Sequence, residues 1–279
     1  MKTTTTISAL FVLAFLTVSS VNADLLSQGG ENDSQFIVKV TGQQQNATVY
    51  SGGMLAKNHT TDDVFRVFCV DVNTRTSDNY NNGTGERYDS IALEDAFLYD
   101  ATKRYSETQQ AQLHSLFDHL YPIVYATDGS VKGDGLYASL FQLAVWEIVE
   151  EKSSVLNVNR ASAAKGNFYV TTVYDVIPGT NWWDNGIVDN ATTASYLNTV
   201  NSWLSAVQDE TGSLWSTLGY EARDVSLELL VAGYDGSYSA SQTFIRASYS
   251  DAQTPEPATM LIFGLGLAGL GLARRNKKS

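Results

Sequence analysis

Residues 64–72 read VFRVFCVDV, and the fold turns on how they are read. Nine residues rich in β-branched and aromatic side chains favour an extended strand. Alternation puts Val64, Arg66, Phe68, Val70 and Val72 on one face and Phe65, Val67, Cys69 and Asp71 on the other. Both faces are largely apolar, so a central strand covered on each side is expected. Upstream, residues 36–40 (FIVKV) and 47–50 read as short strands broken by Gly42 and Gly52-Gly53, and downstream residues 73–89 read as a long polar loop.

Further out the pattern turns helical. Ser106 and Gln109 fit a capping box, and Leu113, Leu116, Phe117 and Leu120 follow at helical spacing before Pro122. Residues 136–149 (LYASLFQLAVWEIV) are apolar nearly all round, the mark of a helix buried inside a domain. Tyr196, Leu197, Val200, Trp203, Leu204 and Val207 form an amphipathic stretch. Residues 225–232 (VSLELLVA) and 242–249 return to strand through a turn region at 233–241. Strands, then helices, then strands predict an α+β fold: N- and C-terminal β-strands forming a sheet or sandwich, with a helical layer inserted between them. There is no internal repeat.

Composition narrows the function classes. The chain has 279 residues, 43% hydrophobic and 17% charged, which is enough apolar material for a core. One cysteine excludes an internal disulfide framework, and with three histidines it leaves little for a structural zinc site. Acid outnumbers base by 30 to 18, so nucleic acid is not an expected partner.

The two ends read as addresses. Met1-Lys2, the apolar run at residues 7–16 and Val21-Asn22-Ala23 make a secretory signal peptide over residues 1–23, with Asp24 as the mature start. At the other end, Pro255-Glu256-Pro257 precedes sixteen uncharged, mostly apolar residues (258–273) and then Arg274, Arg275, Lys277 and Lys278. A helix over that segment spans ~24 Å, a marginal single transmembrane helix whose basic end stays in the cytoplasm. The segment 255–279 resembles the PEP-CTERM sorting signal of Gram-negative bacteria. The resemblance implies Pro255, Glu256 and Pro257 as the recognition element of exosortase, a membrane processing protease. It also implies an inner-membrane intermediate and then delivery to the cell surface or an extracellular polysaccharide matrix. Gly264, Gly266 and Gly269 match G-x-G-x-x-G, but the chain ends ten residues later and no dinucleotide site fits there. Removing Lys2 and the four tail bases from the 18, and Glu256 from the 30, leaves an exported body (24–254) with 13 bases against 29 acids.

Within that body, Cys69 sits in the buried strand and Gln142 in the buried helix, between Phe141 and Leu143. A buried amide must find hydrogen bonds or cost stability. A thiol held against a carboxamide can also expel ammonia and form an internal thioester. Such a bond needs a dry enclosure, for which Phe68, Phe141 and Trp146 are candidates. The segments Phe68-Cys69-Val70-Asp71 and Phe141-Gln142-Leu143-Ala144-Val145-Trp146 resemble the paired motifs of bacterial thioester domains. That resemblance implies Cys69 as acyl acceptor, Gln142 as acyl source, structural roles for Asp71 and Trp146, and capture of a nucleophile such as a lysine amine on a partner surface. It further implies that the late element Gln242-Thr243-Phe244-Ile245, after Ser241, corresponds to the terminal strand closing the site. The chain departs from the pattern in carrying Phe141 where surface adhesins usually have threonine.

Other constellations are weaker. Asp71, Asn73, Ser77, Asp78, Asn79, Asn81 and Asn82 miss the EF-hand spacing, and His114 and His119 lie five apart, off a shared helical face. No G-x-S-x-G elbow is present. Trp182-Trp183 is a candidate for stacking on a sugar ring or for anchoring a loop. The expectation is therefore a non-enzymatic exported surface or matrix protein, without cofactor or metal, that attaches covalently through Cys69 and Gln142. The alternative is a non-covalent structural or carbohydrate-binding matrix protein in which both stay unreacted. A carboxylate hydrolase is motivated by the acid surplus alone.

Overall fold

Nine strands and four α-helices order the residues that the computed structural model describes, namely 23–28, 36–41, 46–72, 85–98, 105–126, 131–132, 135–151, 154–159, 168–175, 186–232 and 242–249. Six of the strands are β1 (Ala23–Gln28), β4 (Met54–Asn58), β5 (Val64–Cys69), β6 (Glu86–Ala92), β8 (Val225–Ala232) and β9 (Phe244–Tyr249). They pair antiparallel in the order β1-β4-β5-β9-β8-β6, and β6 returns to β1, so the sheet curls into a closed barrel. Closure gives each of the six strands a neighbour on both sides. β2 (Phe36–Thr41), β3 (Asn46–Ser51) and β7 (Tyr169–Asp175) form a second, three-stranded sheet in the order β3-β2-β7.

β5 lies between β4 and β9, with Val67 opposite Met54 on one side and Cys69 opposite Phe244 on the other. Its burial deepens along its length: Val64 is exposed, Phe65 is half-buried, and Arg66 to Cys69 are all buried. The strand thus enters the core at the end that carries the thiol.

The helices are α1 (Glu107–Val124), α2 (Leu136–Glu150), α3 (Asn190–Val207) and α4 (Ser213–Leu218). The capping box at the start of α1 is formed as expected: Ser106 Oγ accepts the Gln109 N–H, and Gln109 Oε1 accepts the Ser106 N–H at 3.1 Å. The same Gln109 amide donates from Nε2 to the carbonyls of Ile148 (2.8 Å) and Val149 (3.3 Å), at the end of α2. One side chain therefore satisfies orphan groups at two helix ends and fixes α2 against α1. Gln109→Ala is expected to lower unfolding free energy by about 1–3 kcal/mol, read by denaturant titration, because both sets of contacts vanish together.

α1 runs on through Pro122 to Val124, although the proline reads in sequence as a helix end. The Asp118 carbonyl, which an N–H at position 122 would have taken, instead accepts the Arg223 N–H at 2.9 Å. Asp118 Oδ1 accepts the Val225 N–H at 3.1 Å, so this break in the helix ladder anchors the start of β8.

The α+β class, and the pairing of an early strand (β5) with a late one (β9), agree with the sequence reading. Three expectations are corrected. A sandwich does not describe the sheet, because β1 and β6 supply the strands that close it into a barrel. The polar loop expected over residues 73–89 ends earlier: residues 86–92 are β6, with Tyr88 and Ile91 buried. β1, β4, β7 and α4 were not anticipated. The expected mature start, Asp24, falls inside β1, where it pairs with Tyr88. No helix among the described residues is long and apolar enough to cross a membrane. The signal peptide up to residue 22, the apolar tail, Pro255-Glu256-Pro257 and Trp182-Trp183 lie outside the described residues.

Candidate functional site

Cys69 and Gln142, 73 residues apart in the chain, meet in the core. The Cys69 N–H donates to Gln142 Oε1 at 3.2 Å, and Gln142 Nε2 donates to the Cys69 carbonyl at 2.8 Å. Strand geometry explains why that backbone was available. The Val70 N–H turns to the Thr243 carbonyl on the β9 side (3.2 Å), and successive residues of a strand present their polar groups to opposite edges. The N–H and C=O of Cys69 therefore face the β4 edge. There the β4 ladder has ended at Met54–Val67, and the carboxamide of Gln142 takes the position of a strand residue.

The surroundings are dry. Gln142 is 0% exposed and Cys69 8%. Phe68 is fully buried, with its ring edge-on to Phe141 (5.0 Å between centroids), Phe117 (5.5 Å), Tyr125 (5.5 Å) and Tyr121 (6.2 Å). Phe141 also meets Phe117 at 4.8 Å. The departure from threonine at position 141 thus has a local reason: the phenyl ring fills this aromatic cluster, which a threonine would leave hollow. Phe117, Tyr121 and Tyr125 recur every four residues along and just past α1. That periodic aromatic stripe was the sequence signal for the wall opposite Phe68, and only Phe117 was singled out from it.

Asp71 is half-buried beyond the end of β5, and its carbonyl accepts Gln242 Nε2 at 2.9 Å. Together with Val70–Thr243 this bond zips residues 70–71 to 242–243, so the late element does lie beside Cys69, with Phe244 its strand partner. Burial pushes the Cys69 thiol well above its ordinary range, and the charge of Asp71 adds to the shift. The thiol is accordingly protonated at neutral pH. Trp146 is buried one turn beyond Gln142, with Phe168 as its ring partner at 6.3 Å; its indole N–H has no hydrogen-bond partner among the described residues. It secures α2 toward the start of β7.

What the pair can do chemically follows from these contacts. Gln142 Oε1 already accepts an N–H, and such a donor stabilises the charge that builds on oxygen when a nucleophile attacks the carboxamide carbon. The residue that supplies the donor also carries the thiol.

The histidines serve elsewhere. His114 Nε2 meets Glu94 Oε1 at 3.1 Å, while His119 bonds the Ser115 carbonyl through Nδ1 and stacks on Trp215 at 4.6 Å. Among the described residues no group of three His, Cys, Asp or Glu side chains could hold a metal ion.

Glu147 was missed, although an acid inside the apolar run 136–149 is legible in sequence. It is 0% exposed, its Oε1 accepts the Asn157 N–H, and its Oε2 has no partner among the described residues. Burial raises its pKa from 4.5 to about 8 against the lowering effect of the Asn157 bond, and the charge of Glu151 raises it further. A carboxyl raised in the folded state binds its proton more tightly there than in the unfolded chain. Its contribution is complete below pH 4.5 and is lost as pH rises to about 8. Glu147→Gln keeps the acceptor for Asn157 and removes the titration. The variant is expected to flatten the fall in stability over that window and to gain about 1–3 kcal/mol at its upper end, measured by thermal unfolding against pH.

Comparison with known proteins adds two findings. The PEP-CTERM protein-sorting motif matches residues 253–277. It marks the chain for export, exosortase processing and sorting to the cell surface. Among solved structures, the chain is similar to the N-terminal domain of the Streptococcus pyogenes pilus tip adhesin Cpa, at 11% identity and a TM-score of 0.40, covering 82% of this chain and 99% of that one. Curated proteins gave no match.

Proposed function

We propose that the exported body is a single-use covalent adhesive, in which Cys69 and Gln142 form an internal thioester that is later transferred to an amine on a partner surface. One observation carries the reading: the Gln142 carboxamide is docked, with both of its polar atoms engaged, on the backbone of the residue that bears the chain's one thiol. In the forming step the Cys69 sulfur bonds the Gln142 carboxamide carbon, the carbon–nitrogen bond breaks, and the thiol proton leaves with the nitrogen as ammonia. The neutral thiol suits this balance, since its own proton is the one the departing nitrogen takes up. In the attaching step an amine adds to the carbonyl, the carbon–sulfur bond breaks, and a proton from the amine returns the thiol. Each molecule acts once, which is attachment and not enzymatic turnover. The acid surplus of the body draws lysine-rich surfaces toward it. The tail supplies a transient inner-membrane anchor before exosortase delivers the protein to the surface or matrix.

Intact mass of the purified body tests the chemistry. Wild type is expected one ammonia lighter than its sequence mass, and Cys69→Ala at its full mass. Full mass in both removes the thioester. The second reading, a non-covalent matrix protein with an unreacted pair, is favoured by the two hydrogen bonds of the Gln142 amide, which satisfy it without any reaction. The same measurement separates the two.

A further inference from the structure

We infer that the Cys69–Gln142 site is latent, sealed by the buried Ser51-Gly52-Gly53 turn that joins the small sheet to the barrel, so that a partner amine reaches the acyl carbon only when this turn lifts. The inference rests on the thioester reading and adds its regulation. An adhesive must offer its carbonyl to a nucleophile, yet Gln142 has no exposed surface and Cys69 almost none. Some part of the wall must therefore move.

Three contacts identify that part. Register places the turn at the site: Met54 is opposite Val67, so Gly53 follows opposite Phe68, just where the carboxamide takes over the edge of β5. Ser51 Oγ donates to the Ser139 carbonyl at 2.6 Å, which latches the turn to α2 one turn before Gln142. Gly53 lies so close to the aromatic wall that a Cβ there would collide with Tyr125 Oη and lie 3.2 Å from Phe68 Cε1. The turn thus bridges the two elements that supply the reacting groups. Ser51, Gly52 and Gly53 are all buried, and two of the three lack a side chain that would fill the space on opening. Walls made by β9 or by the α1 aromatics are held by strand ladders and ring contacts; Ser51 ends the β3 ladder opposite Phe36 and its hydroxyl holds the segment to α2, while Gly52 and Gly53 stand outside the ladders of both β3 and β4.

The test uses Ser51→Ala, which removes the latch, Gly53→Ala, which forces the turn off the wall, and Gly53→Ala with Tyr125→Phe, which removes the hydroxyl that the new methyl would strike. Intact mass of each untreated protein first reports whether the thioester is present, and so judges the adhesive reading separately. Protein carrying the thioester is then incubated with Nα-acetyl-lysine and the amine adduct is followed by mass. Protein without it is incubated with iodoacetamide, and alkylation of the free Cys69 thiol is followed instead. Either probe is expected to react about tenfold or more faster in Ser51→Ala than in wild type, the change in an opening equilibrium on losing one buried hydrogen bond. Gly53→Ala is expected to react faster still, and the added Tyr125→Phe to bring the rate back toward wild type. Wild type reacting as fast as both opened variants would overturn the seal, whichever probe is used.

Discussion

Gln142→Leu is expected to produce the largest loss of stability of any single substitution in the site. Leucine fills much of the same volume but offers nothing to the Cys69 N–H and C=O, both buried where the β4 ladder has ended. Two orphaned backbone groups cost about 2–5 kcal/mol together. With the thioester formed, the substitution also removes a cross-link closing a loop of 73 residues, worth about 4 kcal/mol by the chain-entropy argument used for disulfides. Cys69→Ala separates the two effects, since it abolishes the cross-link and keeps the backbone pair. Guanidinium titration of both variants should place Gln142→Leu below Cys69→Ala by the backbone term. Equal midpoints would mean that the amide contributes nothing beyond the bond it forms.

Phe68→Ala is expected to cost about 3–5 kcal/mol, the upper range for truncating a buried aromatic. The ring is fully buried and contacts four others, contributed by α1, the residue just past it, and α2, so the cavity cannot close by moving one neighbour. The hollow would lie beside Cys69, and faster iodoacetamide labelling of any free thiol should accompany the lowered unfolding midpoint. A loss below about 1 kcal/mol, with unchanged labelling, would show that the cluster is not the wall that keeps the pair dry.

Much of this was legible in the chain. The capping box at Ser106 and Gln109, the buried helix at 136–150, the strand at 225–232 and the Cys69/Gln142 pair all carry local signals: a capping residue, an all-round apolar run, β-branched density, or a polar residue out of place. The sorting motif at 253–277 was legible for the same reason, since its parts stand in order at one end. Gln109 illustrates the limit. Its spacing from Ser106 announced one helix start, but nothing near it announced that the same amide closes the end of α2, forty residues on.

Barrel closure, the turn over the site and the depth at which Glu147 is held are likewise announced by nothing near them in the chain. β1, β4 and β6 are short strands with mixed polar residues, and they are strands because neighbours on both sides complete their hydrogen bonds. Local sequence determined which residues wanted to be extended, helical or buried, because those preferences act over a few residues. Which edge of β5 remained open for Gln142, and what covers it, was decided by tertiary structure alone, because hydrogen bonding and close packing are settled only between segments far apart in the chain.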